Sequence, residues 1–361
     1  MENPTLAVTS SDEPHATEIH CPFHLDEEWY DLTSTYVTNV VLIVINTLTA
    51  LSATAGNSLI LLAVWKTPAL RTPSNTLLCC LAFSDFLVGL VVQPTNALEI
   101  FFEIQRNKRA FCVAEILTTG SLSWICAGVS FLVITAISVE RYLAIKLHLR
   151  YEELVTNRRI LMVVSSFWLV CISLIIARFS GASYDALVII IVVMDAMSMA
   201  ITVAAYSKIY LQIRLLQSKT KDQRHLNPSG ININTFKRSA VTMLYVLGLF
   251  LACFIPFLCA LVVKMRRGGG PRLNIIYNFT ATIVYLNSSL NPFVYCFRLK
   301  DIRIAVFKVL GRKYTIDMNG EQVPVSRSHS NQKLNNLKCS NQNVYIPLST
   351  VDISKAPETI V

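Results

Sequence analysis

At 361 residues, 53% of them hydrophobic and only 15% charged, the chain is far more apolar than a water-soluble protein, which carries about 25% charged residues. A mean hydropathy of +0.48 agrees. The net charge is +9, yet the basic residues fall in loops between apolar runs without any RNA- or DNA-binding motif, which excludes nucleic acid as a partner.

The stretch to residue 35 is acidic: it holds Glu2, Asp12, Glu13, Glu18, Asp26, Glu27, Glu28 and Asp31, and no Lys or Arg precedes Lys66. It lacks the basic patch and apolar run of a cleaved signal peptide, so the first apolar helix is expected to act as the targeting signal. Seven segments then reach the ~20 residues that span a bilayer. They are Tyr36–Trp65, Asn75–Phe101, Phe111–Ile145, Ile160–Ile176, Ala186–Leu216, Phe236–Val263 and Leu273–Phe297. Arg298–Leu310 (RLKDIRIAVFKVL) interleaves apolar and basic residues, as an amphipathic helix on a membrane surface does. Residues 311–361 are polar, rich in Ser and Asn, and expected to be disordered.

These elements predict an all-α membrane protein, a seven-transmembrane helix bundle with a short amphipathic eighth helix. Its expected parts are 1–35 (acidic, extracellular), 36–297 (bundle), 298–310 (amphipathic helix) and 311–361 (cytoplasmic tail). Lys and Arg concentrate in alternate loops and in the tail, which places the N-terminus outside the cell and the C-terminus inside. The basic loop Lys264–Arg272 (KMRRGGGPR) is the exception: the acidic N-terminus pairs with it, or it attracts an anionic ligand. Most of the ten cysteines lie inside apolar runs, and no CxxC or Cys/His spacing marks a metal centre. No Ser/His/Asp constellation shares one membrane depth, so no catalytic residue is assigned and an enzyme is not expected.

Ionisable groups inside hydrocarbon are expensive and point to function. The third segment ends Ala127–Tyr142 (AGVSFLVITAISVERY), where Arg141 either snorkels to headgroups or pairs with Glu140 in a contact that movement can break. Asp85 stands in mid-helix with Ser130, Asn287 and Asn291 at matching depth; it is either a protonated, hydrogen-bonded acid or part of an oxygen-lined ion site. Asp195 lies about 15 Å into the fifth helix at 1.5 Å per residue. The spacing Asp195–Ser198–Thr202–Tyr206 turns it inward. There it either bonds a third-helix hydroxyl or Trp124, or it serves as counter-ion for a cationic ligand.

From Tyr36 to Leu310 the chain resembles the rhodopsin-like (class A) G-protein-coupled receptors. The marks are Gly56-Asn57, Leu81-Ala82-Phe83-Ser84-Asp85, Glu140-Arg141-Tyr142, Trp168, Tyr206 with Ile209, Phe250 with Pro256, and Asn291-Pro292-Phe293-Val294-Tyr295, each in its own span. The resemblance implies a plasma-membrane receptor that binds an extracellular small molecule or peptide within the bundle and activates heterotrimeric G proteins. It makes Asp85, Ser130, Asn287 and Asn291 a pocket for allosteric Na+, with no other cofactor. It assigns Glu140, Arg141, Tyr142, Leu149, Tyr206, Phe250, Phe254, Pro256, Asn291, Pro292 and Tyr295 to the activation and coupling machinery.

Departures from the family pattern shape the rest. Phe254 stands where a tryptophan is usual, and Phe236 where some members carry an acid that locks the arginine. Arg141 is thereby left with Glu140 as its obvious partner, and measurable basal signalling is expected. Ser198 replaces the usual fifth-helix proline, and the short loop Ala177–Asp185 has no cysteine. Both features look like the melanocortin, cannabinoid, lysophospholipid and adenosine branch. A Cys21–Cys112 disulfide is expected instead, tying the N-terminal stretch over the pocket. The inward stripe of the third helix, counted back from Arg141, is Ser130, Ser123, Thr119 and Glu115. Ser123 where amine receptors carry an aspartate argues against an orthodox monoamine receptor, and Tyr285 in place of the retinal-linking lysine excludes a light sensor. Glu99, Glu115, Thr119, Ser123, Asp195, Phe257 and Tyr285 are the ligand-contact candidates, with Glu99 and Glu115 as an acidic mouth for a basic peptide. Tail serines such as Ser326, Ser328 and Ser330 suit phosphorylation and arrestin capture, and Thr359 with Val361 suits a PDZ partner. The alternatives are a seven-helix transporter, for which no internal repeat is found, and a receptor for an anionic lipid or nucleoside-type ligand.

Overall fold

Along α1 (Tyr36–Lys66) the buried positions are Asn39, Leu42, Asn46, Ala50, Ala53, Asn57, Ile60, Ala63 and Val64, while Val37, Val41, Val44, Leu48 and Leu51 are exposed. The buried face is the more polar of the two. Hydrocarbon surroundings produce this inversion, because only the interior offers partners to polar groups. The computed structural model describes residues 35–147, 150–222, 233–267, 270–312, 314–316 and 322–324. It continues with α2 (Pro73–Ile104), α3 (Lys108–Leu147), α4 (Asn157–Phe179), α5 (Tyr184–Asp222), α6 (Ile233–Arg267), α7 (Pro271–Arg298) and the short α8 (Lys300–Val309).

Among the described residues five helices, α1 to α5, are long and apolar enough to cross a membrane, and α6 adds the shorter apolar stretch Gly248–Lys264. In α7 the apolar run is broken by Thr280, Thr282, Asn287, Ser288, Ser289 and Asn291, all buried within the bundle. The helices begin earlier than the apolar runs because polar caps start them. Thr72 accepts from Asn75 N at 3.3 Å at the head of α2, Asn107 from Ala110 N at 3.1 Å in α3, and Thr156 from Arg159 N at 3.4 Å in α4.

α3 is the central helix, packed against α2, α4, α5 and α6; α7 joins α6 to α1, and α8 packs on α1 and α7. Small residues set the closest approaches. A Cβ on Gly56 would stand 2.9 Å from Cγ of Pro292, and one on Gly89 would stand 2.7 Å from Cβ of Ala53. The α4–α5 connection is tighter than expected, running only from Ser180 to Ser183, with Gly181 at φ 91° in the turn.

Two five-residue π turns interrupt the long helices, Val88–Val92 in α2 and Thr118–Leu122 in α3. Each inserts one residue and so rotates everything beyond it by about 100°. The stripe counted back from Arg141 at regular helical spacing therefore fails beyond Ser123.

Residues Leu310–Val361 form a separate unit. Within it the structure has a short antiparallel ladder that the sequence reading did not foresee: β1 (Tyr314–Ile316) pairs with β2 (Gln322–Pro324), Thr315 opposite Val323. Cys21, His148, Leu149, Thr359 and Val361, and the tail serines, lie outside the described residues.

Candidate functional site

The bundle encloses a cavity of ≈ 740 Å³, mouth included, between α3, α4, α5, α6 and α7. Ser123 and Trp124 of α3, Cys171 of α4, Asp195 of α5, Phe254 and Phe257 of α6, and Tyr277 and Tyr285 of α7 line it. Among the described residues the lining on α3 begins at Ser123, after its π turn, and Glu115 is not part of it. It lies instead within electrostatic reach of Lys264 and Arg178, and Lys264 sits 4.5 Å over the Tyr277 ring. Glu99 is buried, with Asn96 Nδ2 at 3.5 Å from its Oε2. The neighbours of the two acids differ: Asn96 for Glu99, and Lys264 with Arg178 for Glu115. Thr119 belongs to the π turn, and its side chain lies outside the described residues.

Ser123 and Tyr285 are tied to each other, hydroxyl to hydroxyl at 3.0 Å, which closes the α7 side of the cavity. Asp195 is 9% exposed, and its Oδ2 has no hydrogen-bond partner. The bond to Trp124 or to a third-helix hydroxyl that would satisfy that oxygen is not made. An unpaired buried carboxylate oxygen is costly, and here it borders a cavity with aromatic walls.

Below the cavity the aromatic rings form a continuous stack. Phe254 lies 6.0 Å from Phe257, 5.3 Å from Phe250 and 5.8 Å from Phe131, and Phe131 lies 5.2 Å from Phe250 with ring planes 16° apart. Phe131, absent from the sequence-derived set, is the α3 member of this stack. Phenyl at position 254 fits because its neighbours are flat rings that need no indole donor.

At the other end of α3, Arg141 Nε stands 3.3 Å from Glu140 Oε2, although neither atom makes a hydrogen bond. Glu140 is not a lone partner. Ser74 Oγ of α2 donates to its Oε1 at 2.7 Å, and the Tyr151 hydroxyl, from the single helical turn Tyr151–Leu154, donates to the same oxygen. Burial, and then the Glu140 carboxylate beside it, push the Tyr151 phenol well above its usual range, so it stays a donor at any physiological pH. The sequence reading missed Ser74 and Tyr151 because neither belongs to a family mark. Phe236, Lys237 and Arg238 sit in α6 with side chains outside the described residues. Tyr206 packs partly buried against the core, and Tyr295 is fully buried with its hydroxyl unpartnered. Pro256 and Pro292 lie inside α6 and α7.

Asp85 and Asn291 are brought together, Asn291 Nδ2 donating to Asp85 Oδ2 at 2.7 Å. The Ser130 hydroxyl is 2.9 Å from that of Ser84, the neighbour of Asp85. Asn287 and Asn291 each keep a buried Oδ1 without a partner, so hard oxygen donors are at hand for a small cation. Cys112 is disulfide-bonded rather than free, while Cys21, the partner expected for it, lies outside the described residues.

A cavity at one end of α3, an aromatic stack along it and an Arg–Glu pair at its other end, inside a multi-pass helical bundle, form the arrangement on which a receptor is built. The model of the 7 transmembrane receptor (rhodopsin family) matches residues 56–186 and 179–295, and the chain belongs to that family of receptors.

Proposed function

We propose that this receptor sits in the plasma membrane with its N-terminus outside, binds a cationic ligand in the α3–α7 cavity and activates a heterotrimeric G protein through Arg141. The observation that carries the ligand class is Asp195, buried at the cavity wall with one carboxylate oxygen unsatisfied. An ammonium group would pair with it, and the Trp124, Phe254 and Phe257 rings would pack on the ligand's body and face its charge. A receptor for an anionic lipid or nucleoside is disfavoured, because Lys264 and Arg178 already oppose Glu115.

The signalling step follows from α3 reaching both ends of the bundle. Ligand pressure on Phe257 and Phe254 passes to Phe250 and Phe131, and a shift of α6 relative to α3 frees Arg141 from Glu140. Tyr206 and Tyr295 then become its partners, and Leu149 presents the apolar contact to the G protein. Asp85, Asn291, Asn287 and Ser130 would hold a sodium ion that favours the resting packing. Cys21–Cys112 would hold the N-terminal stretch at the cavity mouth, with arrestin and a PDZ protein as partners of the tail. The test is a panel of primary and tertiary amines and basic peptides, read by G-protein dissociation in cells. Activation by an amine that is abolished in Arg141→Ala supports the reading; a ligand response or transport current that survives Arg141→Ala overturns it.

A further inference from the structure

The polar groups that line the cavity are unevenly placed. The Ser123 and Tyr285 hydroxyls are bonded to each other at 3.0 Å, and Lys264 stands 4.5 Å over the Tyr277 ring. Asp195 belongs to a different corner, fixed by two relations. A Cβ built on Gly128 would stand 3.0 Å from Cys171 Sγ, and Cys171 lies within electrostatic reach of Asp195. Ser123 is five residues before Gly128, about 7.5 Å along the helix axis at 1.5 Å per residue. The lining contributed around Asp195 by α3, α4 and α5 is otherwise Ala127, Leu174, Ile191 and Met194, all apolar.

An ammonium held in this corner meets one good acceptor group. Asp195 Oδ2 is buried without a partner. The Cys171 thiol and the Met194 thioether accept only weakly, and the Trp124 indole can only donate. The carbonyls of α3, α4 and α5 are taken by their own helical ladders. One carboxylate accepts at most two N–H groups from a single ammonium. A primary ammonium brings three, so one would be left against an apolar wall, and an unsatisfied buried donor is costly. A tertiary ammonium brings one N–H, which Oδ2 takes, and its alkyl groups suit the apolar wall. A quaternary ammonium keeps the charge but has no N–H to give. The missing side chain at Gly128 is what leaves room for such alkyl groups beside Cys171.

We propose that the ligand is a tertiary amine with an apolar body, its single N–H on Asp195 and its N-alkyl groups in the corner between Gly128 and Cys171. This rests on the cationic-ligand reading above and narrows it. The test is the affinity of phenylethylamine and its N,N-dimethyl and N,N,N-trimethyl derivatives for the purified full-length receptor, read from the concentration dependence of its melting midpoint. The dimethyl form binds about ten-fold tighter than the primary amine, and the trimethyl form binds more weakly than the dimethyl. Asp195→Asn abolishes this preference. Gly128→Ala weakens the dimethyl form several-fold and spares the primary amine, and Cys171→Ala added to it restores the dimethyl form. A primary amine as tight as the dimethyl form, a trimethyl form tighter than both, or a preference untouched by Gly128→Ala overturns the proposal and leaves the cationic-ligand reading standing. Binding of none of the three, or binding indifferent to Asp195→Asn, removes that reading and the proposal with it.

Discussion

Asp195 is the residue on which the ligand assignment turns. Sequence spacing puts it on the inward face of α5, but spacing cannot say whether a neighbour satisfies its carboxylate. The cavity wall and the unpartnered Oδ2 are what support the ligand reading proposed for it. A charge-assisted hydrogen bond contributes about 1.5–3 kcal/mol, so Asp195→Asn should weaken an ammonium agonist about ten- to hundred-fold. It should leave basal signalling and surface expression near wild type. Concentration–response curves for G-protein dissociation measure this, and unchanged potency would remove Asp195 from the site. The acids Glu99 and Glu115 teach the opposite lesson. Both were legible as charges near one end of the bundle, but their neighbours were not: Asn96 of the same helix stands by Glu99, whereas Lys264 and Arg178 come to Glu115 from α6 and α4. Composition and spacing do not carry that information.

At the level of elements, long apolar runs made α1 to α5 readable because hydrocarbon demands them, whereas α6 and α7, with a shorter and a broken apolar run, were legible through their family marks. The two π turns were not readable. An extra residue in a helix leaves no mark in hydropathy, yet it turned Glu115 away from the cavity and aimed Gln93 and Asn96 at α1. The tail ladder of Tyr314–Ile316 with Gln322–Pro324 was equally silent, being too short to build an alternating pattern. Helix contacts rest on small residues, and these make a sharp prediction. In Gly56→Val the first added carbon alone would fall 2.9 Å from Cγ of Pro292, so α1 and α7 must move apart. Overpacking of this kind costs about 1–3 kcal/mol, and the thermal midpoint of the purified receptor should fall by several degrees. Gly56→Ala should fall less, and a wild-type midpoint in Gly56→Val would show that the contact yields freely.

For the molecule as a whole, the proposed signalling turns on how firmly Arg141 is held at rest. The residues themselves offered Glu140 alone. The folded chain gives Glu140 two further partners, Ser74 from α2 and Tyr151 from the connection to α4, so three elements share the restraint. The Tyr151 hydroxyl is the accessible part of that latch. Its bond is half exposed and charge-assisted, so about 1 kcal/mol is a fair value, or about a five-fold change in the active fraction. Because the phenol is raised well above its usual range, it donates throughout neutral pH, and the latch weakens only as strongly alkaline pH removes its proton. The most direct measurement is basal nucleotide exchange on a purified G protein by the reconstituted receptor: wild type, Tyr151→Phe, and Tyr151→Phe with Arg141→Ala. Exchange should rise about five-fold in Tyr151→Phe and fall to the receptor-free level once Arg141 is removed. Exchange unchanged by Tyr151→Phe, or a rise that survives the loss of Arg141, would contradict it.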